Sequence, residues 1–176
     1  IIGPVAPIIR PLISDKLDFE GELIAIIGKT VHRVNEEQAL DAVAGYSIFN
    51  DATLRDYQRR TGQWTMGKNF DGTGPFGPEF VTADELPRGC AGLNLQTRLN
   101  GEVMQDANTK DMVFNVASAI SYLSQAMTLE PGDLLATGTP SGVGYARMPP
   151  VWMKPGDMVE VEIEGIGILS NPVADE

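Results

Sequence analysis

Two carboxylates, Glu20 and Glu22, stand one residue apart at the entrance to an apolar run, residues 23–27, that Gly28 closes. A continuous apolar run of that length predicts a buried strand. Strand side chains alternate faces, so Glu20 and Glu22 project together while Gly21 keeps the opposite face clear. Two like charges held side by side at the mouth of a buried strand repel unless a positive charge lies between them. A hard divalent cation such as Mg2+, which prefers oxygen ligands, meets that requirement. A solvated strand end carries the same spacing, so the pair alone leaves both readings open.

Other polar groups stand at places from which they could converge on this pair. Asp51, Arg55 and Gln58 fall at i, i+4 and i+7, the spacing of one helical face. Lys68 lies in a Gly- and Pro-rich loop over residues 64–78, and an irregular run of that length inside a domain is usually functional. Thr137-Gly138-Thr139 closes a strand with small residues and open backbone N–H groups. Three carboxylates, Glu20, Glu22 and Asp51, would leave an octahedral cation with open positions, as a catalytic Mg2+ requires. Arg55, Lys68 and Thr139 could then hold an anionic substrate beside it. Each also has an ordinary structural reading: Asp51 as a helix cap, Arg55 as its ion-pair partner, Lys68 as a loop lysine. Glu160, Glu162 and Glu164 repeat the i, i+2 spacing but read as the solvated face of an alternating strand. His32 reads as a surface residue and Cys90 as an inert thiol, with no histidine near it in sequence.

The elements that must position these groups follow from periodicity and punctuation. Pro4, Pro7 and Pro11 make the opening extended, suited to a sheet edge. Asn35 caps a short helix with acids in its first turn and Gly45 as its terminator, before a buried strand over 46–49. Residues 52–60 predict a helical turn or two. Alternation over 93–99, then Asn100-Gly101, predicts a hairpin with a partner strand over 102–105. The clearest helix spans 109–128, with Val113, Val116, Ala117, Ile120, Leu123 and Met127 on one face, and Pro131 after its end. Strands are expected over 134–136, 158–164 and 168–170.

A chain of 176 residues forms one domain of ordinary size, here 1–176. Its 19 glycines and 12 prolines favour short strands and turns over a helical bundle. A formal charge of -11 argues against nucleic acid and against anionic membranes as partners. A single cysteine excludes an internal disulfide framework and fits a reducing, cytoplasmic setting. No apolar run approaches the roughly 18 residues of a membrane span. The apolar, proline-punctuated start at Ile1 reads like the interior of a larger polypeptide, so an upstream segment is expected.

Taken in order, these motifs resemble the fumarylacetoacetate hydrolase family. The likeness runs through Asp18-Phe19-Glu20-Gly21-Glu22-Leu23, then Gly45-Tyr46-Ser47-Ile48-Phe49-Asn50-Asp51-Ala52-Thr53-Leu54-Arg55-Asp56, and Gly67-Lys68-Asn69-Phe70-Asp71. It continues through Thr137-Gly138-Thr139-Pro140-Ser141-Gly142-Val143-Gly144, Lys154-Pro155-Gly156-Asp157 and Asn171-Pro172-Val173. The resemblance implies a mostly β (α+β) fold, a rolled mixed β-sheet with short helices, usually as a homodimer. It implies Mg2+, sometimes Mn2+ or Ca2+, on Glu20, Glu22 and Asp51. It gives Arg55, Gln58 and Thr139 to substrate contact and Lys68 to substrate contact and catalysis.

Substrates in the family are typically 2-oxo acids, such as acylpyruvates and oxaloacetate. Hydrolysis, decarboxylation and isomerisation of such acids share an enolate, which Lys68 would help stabilise. The leading expectation is a hydrolase cleaving a C–C bond in an acylpyruvate-like acid. Oxaloacetate decarboxylation and isomerisation of an oxo-dienedioate are alternatives, and a non-catalytic metal-binding relative is an answer of another class. Family hydrolases activate water with a histidine–glutamate pair on a lid N-terminal to this region. His32 does not lie there, so the pair belongs to an upstream segment or this member does not hydrolyse.

Overall fold

The structure is a computed structural model that describes residues 1–176. In chain order the strands are β1 (Ile8–Arg10), β2 (Leu17–Asp18), β3 (Gly21–Ile27), β4 (Val43–Asn50), β5 (Thr53–Leu54), β6 (Phe76–Thr82), β7 (Asn94–Leu99), β8 (Glu102–Asn108), β9 (Leu134–Ala136), β10 (Met158–Ile163) and β11 (Gly167–Asp175). The helices are α1 (Glu36–Ala39), α2 (Arg55–Gln58) and α3 (Val116–Ala126). Strands dominate, as composition and resemblance predict.

The strands form a five-stranded sheet in the order β1-β11-β10-β7-β8, a four-stranded sheet β6-β4-β3-β9, and the short pair β2-β5. Only the β1–β11 pairing is parallel among the ladders, which makes the larger sheet mixed. The main core lies between the two larger sheets. Leu23, Ala25 and Ile27 of β3 share it with Leu95 of β7, Val161 and Ile163 of β10 and Leu169 of β11. Val116 and Ile120 of α3 belong to the same cluster. Each such aliphatic side chain contributes roughly 1.5–3 kcal/mol when fully buried.

Alternation predicts β10 faithfully: Val159, Val161 and Ile163 are buried, while Glu160 and Glu162 point outward beside Arg98. The hairpin β7–β8 turns at Asn100 and Gly101 with φ of 53° and 82°, the positive pair that a type I′ turn demands.

Several boundaries differ from expectation, each for a local reason. The helix expected over 109–128 is shorter. A single 3₁₀ turn covers Thr109–Asp111, and α3 starts only after Asn115, whose side chain caps Ser118 N at 2.9 Å. Val113, assigned to the apolar face, lies outside α3 and is 90 % exposed. Met127 is its C-terminal neighbour and is likewise exposed. Asn35 does cap α1, but Gly45 does not end that helical segment. It lies inside β4, where a Cβ would overlap Val81 O and the Phe80 ring, so its role is close approach of β6. The helical turn over 52–60 reduces to Arg55–Gln58, with β5 in front of it. Asp51 therefore lies outside the helical face shared by Arg55 and Gln58. The loop over 64–78 is partly ordered as a 3₁₀ turn, Trp64–Lys68, and as the first residues of β6. No helix of the structure is long and apolar enough to cross a membrane.

Candidate metal centre

Strand pairing builds the acidic cluster. In β3 the odd positions face the main core, and Gly21 is the first of them. A Cβ there would overlap Thr97 Oγ1 and press on Val161, so β3 can approach β7 and β10 only with glycine at this point. Glu20 and Glu22 take the opposite face, as alternation predicts. Asp51 joins them through the β3–β4 register: Gly21 opposes Asn50, and the next backbone bond runs from Asp51 N to Glu20 O at 2.9 Å. Asn50 Oδ1 fixes Glu20 further by accepting from its N–H at 2.9 Å. One oxygen from each of Glu20, Glu22 and Asp51 lies within 4.8 Å of the others. An all-oxygen, carboxylate-only donor set that tight and that buried fits a hard divalent cation.

The charge on this cluster has visible consequences. Burial, with Asp51 and Glu20 nearby, pushes the Glu22 carboxyl up to about 7. Burial raises Asp51 as well, against the pull of Lys68. Burial works against the Lys68 ammonium, but its bonds to Asp51 and Glu20 outweigh that and hold its pKa above the ordinary lysine value. Lys68 Nζ lies 2.7 Å from Glu20 Oε2 and also contacts Asp51 Oδ2. It is brought there by the 3₁₀ turn after α2. Gly67 sits so close to the backbone of Gln58 that a side chain at 67 would overlap it.

Arg55 is nearly buried and its guanidinium is engaged with protein groups. Nε donates to Asp18 Oδ2 at 2.8 Å, and Nη1 lies 2.6 Å from Glu20 Oε1 and 3.0 Å from Gln58 Oε1. Gln58 is thereby held against the cluster, 5 % exposed. The loop after β9 supplies the opposite wall. Because β9 pairs with β3, Thr137 and Thr139 donate to the carbonyls of Leu23 and Gly21, and Gly138 N donates to Glu22 Oε2 at 3.0 Å. The predicted residues Glu20, Glu22, Arg55, Gln58, Lys68 and Thr139 all line one open cleft of about 660 Å³. Asp51 reaches the cluster from just outside that lining. A second cavity of about 290 Å³ lies across the 137–140 segment, next to Leu23, Val113 and Phe114.

Some participants escaped the sequence reading. Asp18 is fully buried, and its two oxygens accept from Phe19 N, Gly144 N, Tyr145 N and Arg55 Nε. Burial pushes this carboxyl upward, against the pull of Arg55 and of the Tyr145 and Gly144 amides. The signal was available: Asp18 shares the parity of Glu20 and Glu22. Gln105, also buried, accepts from Gly21 N and donates to Thr139 Oγ1, with nothing in its sequence context to mark it. Arg59 lines the cleft one residue beyond α2. His32 is exposed and Cys90 is buried, its thiol pushed up to about 12 by burial, so neither belongs to the cleft.

Comparison with known proteins gives the family and the fold. Residues 1–174 match the family described as fumarylacetoacetate (FAA) hydrolase, C-terminal. The chain is 43 % identical to oxaloacetate tautomerase fahd2, mitochondrial, of Xenopus laevis, over 98 % of this chain and 54 % of that protein. It superposes on a fumarylacetoacetate hydrolase from Exiguobacterium antarcticum with a TM-score of 0.94 at 45 % identity, covering 99 % of this chain and 62 % of that one. A 2-hydroxyhepta-2,4-diene-1,7-dioate isomerase from Mycobacterium marinum gives 0.89 at 42 % identity, covering 99 % and 65 %. The chain thus spans a little over half to about two thirds of the length of these relatives.

Proposed function

The chain belongs to the fumarylacetoacetate hydrolase family, and from that premise we propose a divalent-metal enzyme that interconverts the keto and enol forms of a 2-oxo dicarboxylic acid of the oxaloacetate class. The observation that carries this reading is the meeting of the Glu20, Glu22 and Asp51 carboxylates with Lys68 in one cleft. The name of the Xenopus laevis relative, an oxaloacetate tautomerase, supports the reaction type.

Glu20, Glu22 and Asp51 would hold the cation, with Mg2+ the hard, oxygen-preferring choice and Mn2+ or Ca2+ as substitutes. Bound there, it supplies Lewis acidity to the carboxylate and 2-oxo oxygens of the substrate. The chain's own groups do the rest. Solvent in the open cleft would take the proton from the carbon next to the 2-oxo group and return one to the 2-oxo oxygen, and Lys68 presents its ammonium to the negative charge that gathers on that oxygen in between. Arg55 holds Glu20 in place while Gln58 and Thr139 offer polar atoms to the ligand from opposite walls. Gly138 N anchors Glu22 and leaves its second oxygen to the cluster.

C–C bond hydrolysis of an acylpyruvate is a second reading. It is favoured by the close superposition on a structure named a fumarylacetoacetate hydrolase, and it uses the same enolate. A homodimer, as the resemblance implies, belongs to the same proposal, and light scattering after size exclusion tests it.

The deciding experiment follows the enol absorbance of oxaloacetate with Mg2+, with chelator, and with the Glu22→Gln variant. Acceleration of enol-to-keto conversion that needs both metal and Glu22 supports the tautomerase reading. Release of pyruvate from an acylpyruvate, with no effect on the oxaloacetate equilibration rate, would replace it by hydrolysis.

A further inference from the structure

Three cations line the cleft, and their commitments differ. Arg55 is engaged by Asp18 and Glu20, and Lys68 by Glu20 and Asp51. Arg59, the third, makes no ion pair with any carboxylate of the chain and is exposed toward the cleft. Its guanidinium is nevertheless placed. The Arg59 Cζ lies 3.9 Å from the centroid of the Tyr145 ring, a cation–π contact that holds the guanidinium at the cleft while its N–H groups make no hydrogen bond to the chain. At its base, the Arg59 N–H donates to Arg55 O at 3.2 Å, which ties it to the last turn of α2.

Tyr145 is itself held. Its backbone N–H donates to Asp18 Oδ2 at 2.9 Å, and Gly144 N donates to Asp18 Oδ1 at 2.7 Å. Residue 144 must be glycine for this, because a Cβ would overlap Val151 O and crowd Asp18. Asp18 therefore orients both arginines, Arg55 directly and Arg59 through Tyr145. A side chain that extends an unpaired guanidinium into a cleft whose other two cations are already engaged is suited to a ligand carboxylate.

We propose that Arg59, oriented by the ring of Tyr145, binds the second carboxylate of a 2-oxo dicarboxylic acid and so sets the preference of this cleft for dicarboxylates over monocarboxylates. This rests on the cleft being a 2-oxo acid site, as proposed above. The head of the acid, its first carboxylate and 2-oxo oxygen, would face Lys68 and the cation that the acidic cluster would hold. The tail carboxylate belongs to Arg59.

The test is isothermal titration of the Mg2+-loaded protein with pyruvate and with oxaloacetate, in wild type, Arg59→Gln, Tyr145→Phe and Tyr145→Leu, together with oxaloacetate kinetics. Arg59→Gln should weaken oxaloacetate about tenfold, in Kd and in KM, while pyruvate changes by less than about twofold, since one charge-assisted contact is lost. Tyr145→Phe keeps the ring and should behave as wild type, and Tyr145→Leu should reproduce part of the Arg59 defect. Equal weakening of both acids, or no weakening of either, in Arg59→Gln overturns the assignment of Arg59 while leaving the 2-oxo acid reading intact. Failure of wild-type protein to bind either acid in the presence of Mg2+ overturns both.

Discussion

Lys68 Nζ stands 2.7 Å from Glu20 Oε2, with a second contact to Asp51, so the ammonium already neutralises part of the cluster that a cation would occupy. Lysine and metal are thus both partners and competitors: each balances the same carboxylates, and each repels the other. Replacing the lysine by an apolar side chain of similar length removes that repulsion. Lys68→Met should bind Mg2+ roughly tenfold more tightly, a modest figure because Lys68 is 22 % exposed and partly screened. The same variant should lose turnover by two orders of magnitude or more, as removal of one group that stabilises developing charge does. Titration of Mg2+ against both proteins, beside the oxaloacetate assay, checks the opposed signs. Weaker binding in Lys68→Met would contradict the picture.

Cation binding to the folded state alone raises its stability by mass action. At a hundredfold excess over Kd the gain is about 2.7 kcal/mol, or roughly 5–10 °C in Tm for a chain of this length. Thermal melts with Mg2+ and with chelator measure it. Glu20→Gln should melt at the same temperature in both conditions.

The Glu22 carboxyl gives this gain a pH dependence. Its folded pKa of about 7 lies above the ordinary glutamate value of 4.5. With the folded value raised, the stability it confers on the metal-free protein is intact below about 4.5 and is lost as pH rises through about 7. Asp51 shifts in the same direction. A cation reverses the preference, because it binds the deprotonated form. The Mg2+-dependent rise in Tm should therefore be small at pH 5, grow toward pH 7 and level off above it. A constant rise across that range would show that Glu22 does not ligate.

Asp18 lies at the buried end of the network, fully inaccessible and paired with Arg55 at 2.8 Å. Asp18→Ala leaves three amides, those of Phe19, Gly144 and Tyr145, without their side-chain acceptor and takes one of its two carboxylate partners from the buried Arg55 guanidinium. Breaking such a pair costs about 3–5 kcal/mol, so Tm should fall by roughly 10 °C. The isosteric Asp18→Asn retains one acceptor oxygen and should fall between wild type and Asp18→Ala. Urea unfolding of the three proteins orders them.

Gly21→Ala tests the packing that lets the acidic pair form. The added methyl overlaps Thr97 Oγ1 and Val161, and such overpacking costs about 1–3 kcal/mol. Shortening the obstacle in the double variant Gly21→Ala with Thr97→Ala should restore much of the loss, a coupling that unfolding curves of the cycle read directly.

Much of this protein could be read from residue order, wherever a local rule suffices. Alternation in residues 20–27 put Glu20 and Glu22 on one face and Gly21 on the other, because a strand has period two whatever surrounds it. Asn100-Gly101 set its hairpin for the same kind of reason, the positive φ of a two-residue turn. Where local preference competed with long-range pairing, the reading failed. Gly45 looks like a helix terminator until β6 is seen lying against it, and Val113 looks like part of an apolar helical stripe until Asn115 begins that helix later.

The cleft itself belongs to the tertiary structure. Asp51 meets Glu20 through the β3–β4 register, and Thr139 meets Gly21 because β9 returns to the edge of the sheet 118 residues later. Asp18 reaches Gly144 and Tyr145 across 126 and 127 residues, and through them it orients Arg59. Spacing along a chain carries the period of an element but not the distance between elements. Which carboxylate faces which lysine, and which arginine is left free for a ligand, was therefore decided only when distant strands paired and the segments that follow them met.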